Sequence, residues 1–326
     1  MEKLIVVVGI TGVQGSSVAN TFLQLPGWKV RGITRNPSSE KANAWKSRGV
    51  EIVQADLDNQ QSLLRAFNGA NVIFGVTDFW TIFQDPTSMI KKRPEQTITE
   101  YCFEVEVQQG KNLVKAAAAI EQLDLLVFSS MAMASRWSNG KFSRIYHMDS
   151  KAVVAEYAQS LPGLKNKFSQ IQAPIYYNLF WQWGLPTAPK KQVDGSYRIQ
   201  GPGPANVPIP MGDVQNDFGK CVKAVIDSKP GLNLLAVGEM LSWETILEAW
   251  CKSQGVPSGG YEEHTIESFV GLLPGELTRE FGENALFAQE FGYDGSDPTV
   301  VRSPDLGIQM TSFKEYCEGT NFSAIL

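Results

Sequence analysis

Leu4-Ile5-Val6-Val7-Val8-Gly9-Ile10-Thr11-Gly12-Val13-Gln14-Gly15 stands at the head of the chain, and its reading decides the fold. An unbroken, mostly β-branched apolar run suits a parallel strand buried on both faces. Three glycines at intervals of three residues follow it, and then a helical pattern over 16–25. Working outward, strands are expected at 29–33, 51–54, 71–76, 125–128 and near 168–171. Helices are expected at 40–47, 60–67, 105–123 and 150–160, with later ones starting near Val214 and Trp243. This alternation predicts an α/β fold, a doubly wound parallel sheet with a smaller α-rich C-terminal domain. Residues 1–178, completed by 205–238, are assigned to the sheet domain, and 179–204 with 239–326 to the smaller one. Gly201-Pro202-Gly203-Pro204 and Pro257-Ser258-Gly259-Gly260-Tyr261 mark turns where the chain crosses between them. From Phe79 to Tyr101 the pattern breaks into a stretch rich in aromatics and prolines, and connections this long are usually functional or mobile.

Composition narrows the function classes. At 326 residues, with 43% apolar and 19% charged residues, the chain has the balance of a globular protein and length for one large or two smaller domains. A net charge of -5 argues against direct nucleic-acid binding, which calls for concentrated Lys and Arg. The four cysteines form no C-x-x-C pair, and His147 and His264 are far apart, so no metal is expected. The first strand pattern begins at Leu4 and no apolar run approaches the ~20 residues of a membrane span. The expectation is a cytoplasmic protein without leader or membrane segment.

Gly9, Thr11, Gly12, Val13, Gln14 and Gly15 lie between strand and helix, where a dinucleotide pyrophosphate needs close backbone approach and free N–H donors. The spacing is G-x-x-G-x-x-G rather than G-x-G-x-x-G, and a tight turn without ligand is the alternative. An acid about 20 residues further on would bind the ribose 2′-hydroxyl of NAD. Ile33-Thr34-Arg35-Asn36-Pro37-Ser38-Ser39 has none, and Arg35 offers a guanidinium fork for the 2′-phosphate of NADP, with hydroxyl donors from Ser38 and Ser39. NADP(H) is therefore favoured over NAD(H), against the alternative of a solvated loop arginine. Asp56, next to Leu57, is expected near the adenine, and Thr77, Asp78 and Phe79 along the middle of the cofactor.

These residues, with Gln108-Gln109-Gly110-Lys111-Asn112-Leu113, Tyr146-His147-Met148-Asp149-Ser150-Lys151 and Val207-Pro208-Ile209-Pro210-Met211-Gly212, resemble the NmrA-like branch of the atypical short-chain dehydrogenases over nearly the whole chain. The resemblance implies a Rossmann domain with a small C-terminal substrate domain. It also implies cofactor contacts at Thr11, Gly12, Gln14, Gly15, Arg35, Asp56, Thr77, Phe79, Lys151 and the Tyr176-Tyr177-Asn178 segment. Gln108 stands where some relatives carry a cofactor-contacting lysine.

A typical short-chain dehydrogenase uses Y-x-x-x-K, the lysine lowering the pKa of the tyrosine. This chain keeps Lys151, but four residues earlier stands His147, with Tyr146 one step off. The candidate catalytic residues are Lys151, His147 and Tyr146. His147 is read as a proton donor, a packing residue or a surface residue, and Asp149 as the N-cap of a helix starting at Ser150. Trp80, Phe83, Tyr101, Trp137, Tyr176, Tyr177, Phe180, Trp181 and Trp183 are candidates for a pocket that takes a bulky, flat substrate. The leading expectation is an NADP(H)-dependent enzyme of secondary metabolism, acting by reduction or by a redox-neutral cyclisation or isomerisation. The other is a non-catalytic NADP(H) sensor or transcriptional regulator working through a protein partner, and a homodimer is allowed in either.

Overall fold

The computed structural model describes residues 2–182, 186–272 and 275–326. Eight parallel strands form the main sheet: β1 (Lys3–Val8), β2 (Trp28–Thr34), β3 (Glu51–Gln54), β4 (Val72–Gly75), β5 (Leu125–Ser130), β6 (Phe168–Gln172), β7 (Asn233–Leu235) and β8 (Val300–Arg302). Their spatial order is β8-β7-β6-β5-β4-β1-β2-β3. The apolar run of β1 has the reason anticipated for it. Ile5 and Val7 pack on one layer with Phe22 and Phe218, while Val6 and Val8 pack on the other with Leu63, Leu113 and Val154. A strand between two helical layers has no solvent face on which to place polar residues.

From β1 the chain passes to β2 on one side, while β4 pairs on the other. That reversal leaves a crevice beyond the carboxyl ends of β1 and β4, where ligands of such sheets bind. The first helix, Val13–Leu23, begins three residues before the expected Ser16, so the glycine turn runs straight into its first turn. The stretch after Thr77 is not a bare loop. It folds into helices Phe79–Gln84 and Pro86–Lys91, and the long helix Ile98–Ala118 starts early, at a Thr97–Glu100 capping box.

The smaller domain carries the expected helices, Trp243–Gln254, Ile266–Leu272, Glu276–Phe291 and Phe313–Gly319, and strands besides. Two three-stranded sheets lie in the later chain, one joining Glu239–Leu241, Ile209–Gly212 and Ile175–Tyr176, the other Ser258–His264, Tyr197–Pro202 and Lys190–Lys191. Strand β8, from a stretch assigned to that domain, is instead the outer strand of the main sheet. Among the described residues, no helix is long and apolar enough to cross a membrane.

Candidate functional site

The site is built on the turn after β1. Gly9 has φ +68°, a left-handed conformation that favours glycine, and its carbonyl accepts from Gly12 N–H at 2.9 Å. A Cβ on Gly15 would lie 2.2 Å from that carbonyl oxygen, so only glycine lets the helix start so close beneath the turn. No side chain caps this helix and its first turn holds no acid. By contrast, Ser39, Asn59, Thr97, Asp213, Ser242 and Ser312 each cap the helix that follows them. The first helix thus presents N–H groups and the positive end of its dipole to a cleft of about 930 Å³. A glycine cradle and an uncapped helix start fit a dinucleotide pyrophosphate.

Gly9, Thr11, Gly12, Val13, Gln14, Gly15, Arg35, Ser39, Asp56, Leu57, Thr77, Asp78, Phe79, Lys151 and Tyr176 all border this cleft. Arg35 is solvent-exposed at one end of it. Gln14 Nε2 donates to the Tyr176 hydroxyl at 2.8 Å, tying the first helix to strand Ile175–Tyr176. Burial pushes the Tyr176 hydroxyl up to about 12. Ser39 spends its hydroxyl on Ala42 N–H, and Ser38 points its own at Asn36 Oδ1, off the cleft. Tyr177 and Asn178 line a separate cleft of about 510 Å³. There Tyr177 donates to Glu239 and Asn178 to Gln182.

At the inner end two buried carboxylates organise the candidate catalytic residues. Lys151 Nζ forms an ion pair with Glu106, which is fully buried and also accepts from the Ser150 hydroxyl. Glu280 Oε1 accepts from His147 N–H at 2.6 Å and pairs with His147 Nδ1 at 2.8 Å. Burial pushes the Glu280 carboxyl up, while the bonds to His147 oppose the shift. The His147 ring lies 5.0 Å from that of Trp80, which stacks on Phe281 at 5.0 Å and 13°. Among the described residues, Thr77 Oγ1, Ser129 Oγ, Asn284 Oδ1 and Glu280 Oε2 are buried here without a hydrogen-bond partner.

Tyr146 is placed elsewhere. Its hydroxyl turns to Glu100 at 3.3 Å, away from the cleft, and burial pushes its pKa up to about 12. Asp149 does not cap a helix at Ser150, because the helix runs Tyr146–Ser160 and Asp149 sits in its first turn. There it accepts from Ser135 N–H, and burial raises its pKa.

Of the aromatic candidates, Trp80 and Tyr176 border the main cleft. Phe83 and Tyr101 pack behind it around Ile82 and Cys102. Trp137 sits against Gly295 and the Phe287 cluster, and Phe180 is fully buried beside Phe313. Trp181 Nε1 donates to Tyr316 in the second cleft, and Trp183 lies outside the described residues. Sequence reading missed Glu106, Glu280, Phe281 and Asn284. Three of these carry a signal: Cys102, Glu106, Gly110 and Val114 fall at i, i+4 on one buried stripe, as do Glu280, Asn284 and Ala288. An acid in such a stripe needs a partner.

A parallel sheet with a glycine-fronted helix at its switch point makes this a Rossmann-type α/β protein. A sequence profile described as the NmrA-like family matches residues 1–317, and the chain belongs to that family. It is similar to the NmrA-like family domain-containing oxidoreductase FrzB of Cladobotryum sp, with 31% identity over 242 residues, 69% of this chain and 65% of FrzB. It is also similar to oxidoreductase cpsB of Aspergillus campestris, with 28% identity over 93% of this chain and 88% of cpsB. Two solved structures share the fold. One is NmrA, a negative transcriptional regulator, in complex with NADP, at 18% identity and TM-score 0.75 over 98% of this chain and 95% of that one. The other is the NADPH-dependent quinone oxidoreductase of Escherichia coli, at 16% identity and TM-score 0.69 over 96% and 98%.

Proposed function

We propose that the chain binds NADP(H) in the main cleft and is an oxidoreductase acting on a bulky, flat, aromatic small molecule. The observation that carries the reading is the uncapped helix behind Gly9, Gly12 and Gly15, which faces the same cleft as Arg35, Lys151 and His147. First-turn N–H groups and the helix dipole receive the pyrophosphate. Arg35 takes the 2′-phosphate, where β2 ends without an acid for a 2′-hydroxyl. Bound NADPH supplies a hydride. Lys151, steadied by Glu106, and the unpartnered hydroxyls of Thr77 and Ser129 offer donors to the ribose and carboxamide. Glu280 engages Nδ1 of His147 and leaves the other ring nitrogen for proton transfer. The oxidoreductase names of the curated relatives, and the NADP(H) complexes sharing the fold, support the reading.

Titration with NADPH and NADH tests the cofactor half: NADPH is expected to bind at least about tenfold tighter, with Arg35→Ala erasing the difference. Equal affinities for wild type would refute it. NADPH consumption across a panel of aromatic acceptors tests the enzyme half. One observation favours a second reading as an NADP(H) sensor with a protein partner: the Tyr146 hydroxyl and the Lys151 amine are both engaged by carboxylates. Absent turnover, with partner capture that changes between NADPH and NADP, would select it.

A further inference from the structure

The second cleft, of about 510 Å³, lies apart from the proposed cofactor and proton-transfer groups, and its volume is that of a small-molecule site. Four parts of the chain meet around it: the start of the first helix at Val13, the Tyr176-Tyr177-Asn178 segment with helix Leu179–Gln182, the start of helix Val214–Asp227, and residues 311–321 around helix Phe313–Gly319. Val13 and Tyr176 also border the main cleft, so the two clefts lie back to back. Among the described residues lining the second cleft there is no Lys, Arg or His, and the charged groups are Asp213 and Glu315. The helix start here differs from the one at the glycine turn, because Asp213 caps it, accepting from Asn216 N–H at 3.2 Å and Asn216 Nδ2 at 2.7 Å. Glu315 Oε2 accepts from Ser312 N–H at 2.8 Å and from the Ser312 hydroxyl at 2.7 Å. An anion would meet two negative groups, and both carboxylates are already engaged by donors of the protein.

Neutral hydrogen-bonding groups make up the rest of the polar lining. Asn178 Nδ2 donates to Gln182 Oε1 at 2.7 Å, which leaves Asn178 Oδ1 and Gln182 Nε2 without a partner among the described residues. The side chains of Gln215 and Thr311, and Asn321 Nδ2, likewise make no hydrogen bond among them. Aromatic rings stand beside these amides. Trp181 Nε1 donates to the Tyr316 hydroxyl at 3.0 Å, and the Tyr316 ring lies 5.2 Å from that of Tyr177.

We propose that the second cleft binds an uncharged polyhydroxylated ligand, a sugar or glycosyl group, with its hydroxyls on the amide side chains and its C–H faces on Trp181 and Tyr316. A hydroxyl both donates and accepts, which matches amide N–H and C=O groups lining one cavity. The negative face of an aromatic ring attracts slightly positive C–H hydrogens. A phosphate or carboxylate would lose its hydration here without gaining a cation. The proposal is independent of the oxidoreductase reading.

The test is saturation-transfer NMR titration of the full chain at pH 6 with glucose, its anionic analogue glucuronate and its cationic analogue glucosamine, without cofactor. Glucose is expected to bind saturably, glucuronate at least about threefold more weakly, and glucosamine no more than about threefold more tightly. Gln215→Ala removes an exposed side chain with no hydrogen bond to lose, so the fold should hold, and glucose affinity should fall about two- to tenfold, the worth of one hydrogen bond. Trp181→Ala should lower it at least as far, while NADPH affinity stays unchanged in Gln215→Ala. No saturable transfer from glucose, glucuronate within about threefold of it, glucosamine bound more than about threefold more tightly, or glucose affinity unmoved in Gln215→Ala or in a folded Trp181→Ala would overturn the proposal. If Trp181→Ala does not fold, Asn178→Ala is titrated in its place, and it must also weaken glucose binding.

Discussion

Replacing Gly15 by alanine tests the nucleotide end at its tightest point. The new Cβ would stand 2.2 Å from the Gly9 carbonyl oxygen, 2.6 Å from its carbon and 3.0 Å from Ile10 Cα. All three are backbone atoms, so no rotamer change relieves the contact. The start of helix Val13–Leu23 must back away by roughly 1 Å, an overpacking that costs about 1–3 kcal/mol. Larger consequences fall on the ligand. A retreat of that size takes first-turn N–H groups out of range of a bound phosphate, and hydrogen bonds to charged groups contribute about 1.5–3 kcal/mol each. Losing one or two, about 2–4 kcal/mol, weakens NADPH binding by about 30- to 1,000-fold. Fluorescence titration with NADPH reads the affinity, and thermal unfolding reads the fold, with Tm expected to fall by about 3–10 °C. Gly271→Ala is the control, because its Cβ would meet nothing within 4 Å and the residue is exposed and away from the cleft. A Gly15→Ala protein that binds NADPH within about threefold of wild type, with Tm unchanged, would refute the reasoning.

Other perturbations separate the roles of the inner residues. Glu106→Leu strands the Lys151 ammonium, whose side chain is 11% exposed, and should cost about 3–5 kcal/mol in urea unfolding, with Glu106→Gln milder. His147→Phe should leave NADPH affinity unchanged and lower turnover of an acceptor that needs a proton by about 10²- to 10⁴-fold. Burial raises the Asp149 pKa above its unfolded value, so the stability this group lends is full below the ordinary carboxylate range and lost as pH rises through the folded value. Asp149→Asn should therefore gain on wild type as pH rises from 3 to 7, and urea midpoints that move in parallel across that range would contradict it. Gly219→Val puts a Cβ 2.3 Å from the Ser17 carbonyl across the contact with the first helix. It should cost about 2–3 kcal/mol and leave the preference for NADPH over NADH intact.

The nucleotide end was legible because local chemistry builds it. An apolar run, three glycines and a strand ending in Thr34-Arg35 without an acid are all contiguous in sequence, and helices Glu40–Ser47 and Gln60–Phe67 start where Ser39 and Asn59 cap them. The inner end was less legible because its partners are distant. His147 meets Glu280 across 133 residues and Lys151 meets Glu106 across 45, and nothing in the motif around Lys151 specifies either. Aromatic side chains misled for a related reason. Phe180 and Trp137 read as ligand-facing, yet a large ring fills core equally well, and the packing of the smaller domain used them so. Strand β8 was missed because three residues, Val300–Arg302, carry too little pattern to stand out from loop.

The two ends also differ in what sequence change can do to them. At the nucleotide end the proposed donors are backbone N–H groups, so a Cβ in the wrong place is expected to weaken binding. At the inner end, the carboxylates that hold Lys151 and His147 come from two separate helices, Ile98–Ala118 and Glu276–Phe291, under one geometric demand: each buried carboxylate must keep a partner. Glu106 meets that demand with Lys151 and Ser150, whereas Glu280 meets only half of it, through Oε1. The unpaired oxygen costs stability that an apolar residue would not. Glu280→Gln, which removes the buried charge, reads that cost directly: urea unfolding at neutral pH should give a stability at or above that of wild type. A variant that lost stability would instead show that the bonds of Glu280 Oε1 to the His147 N–H and ring outweigh the cost of the unpaired oxygen.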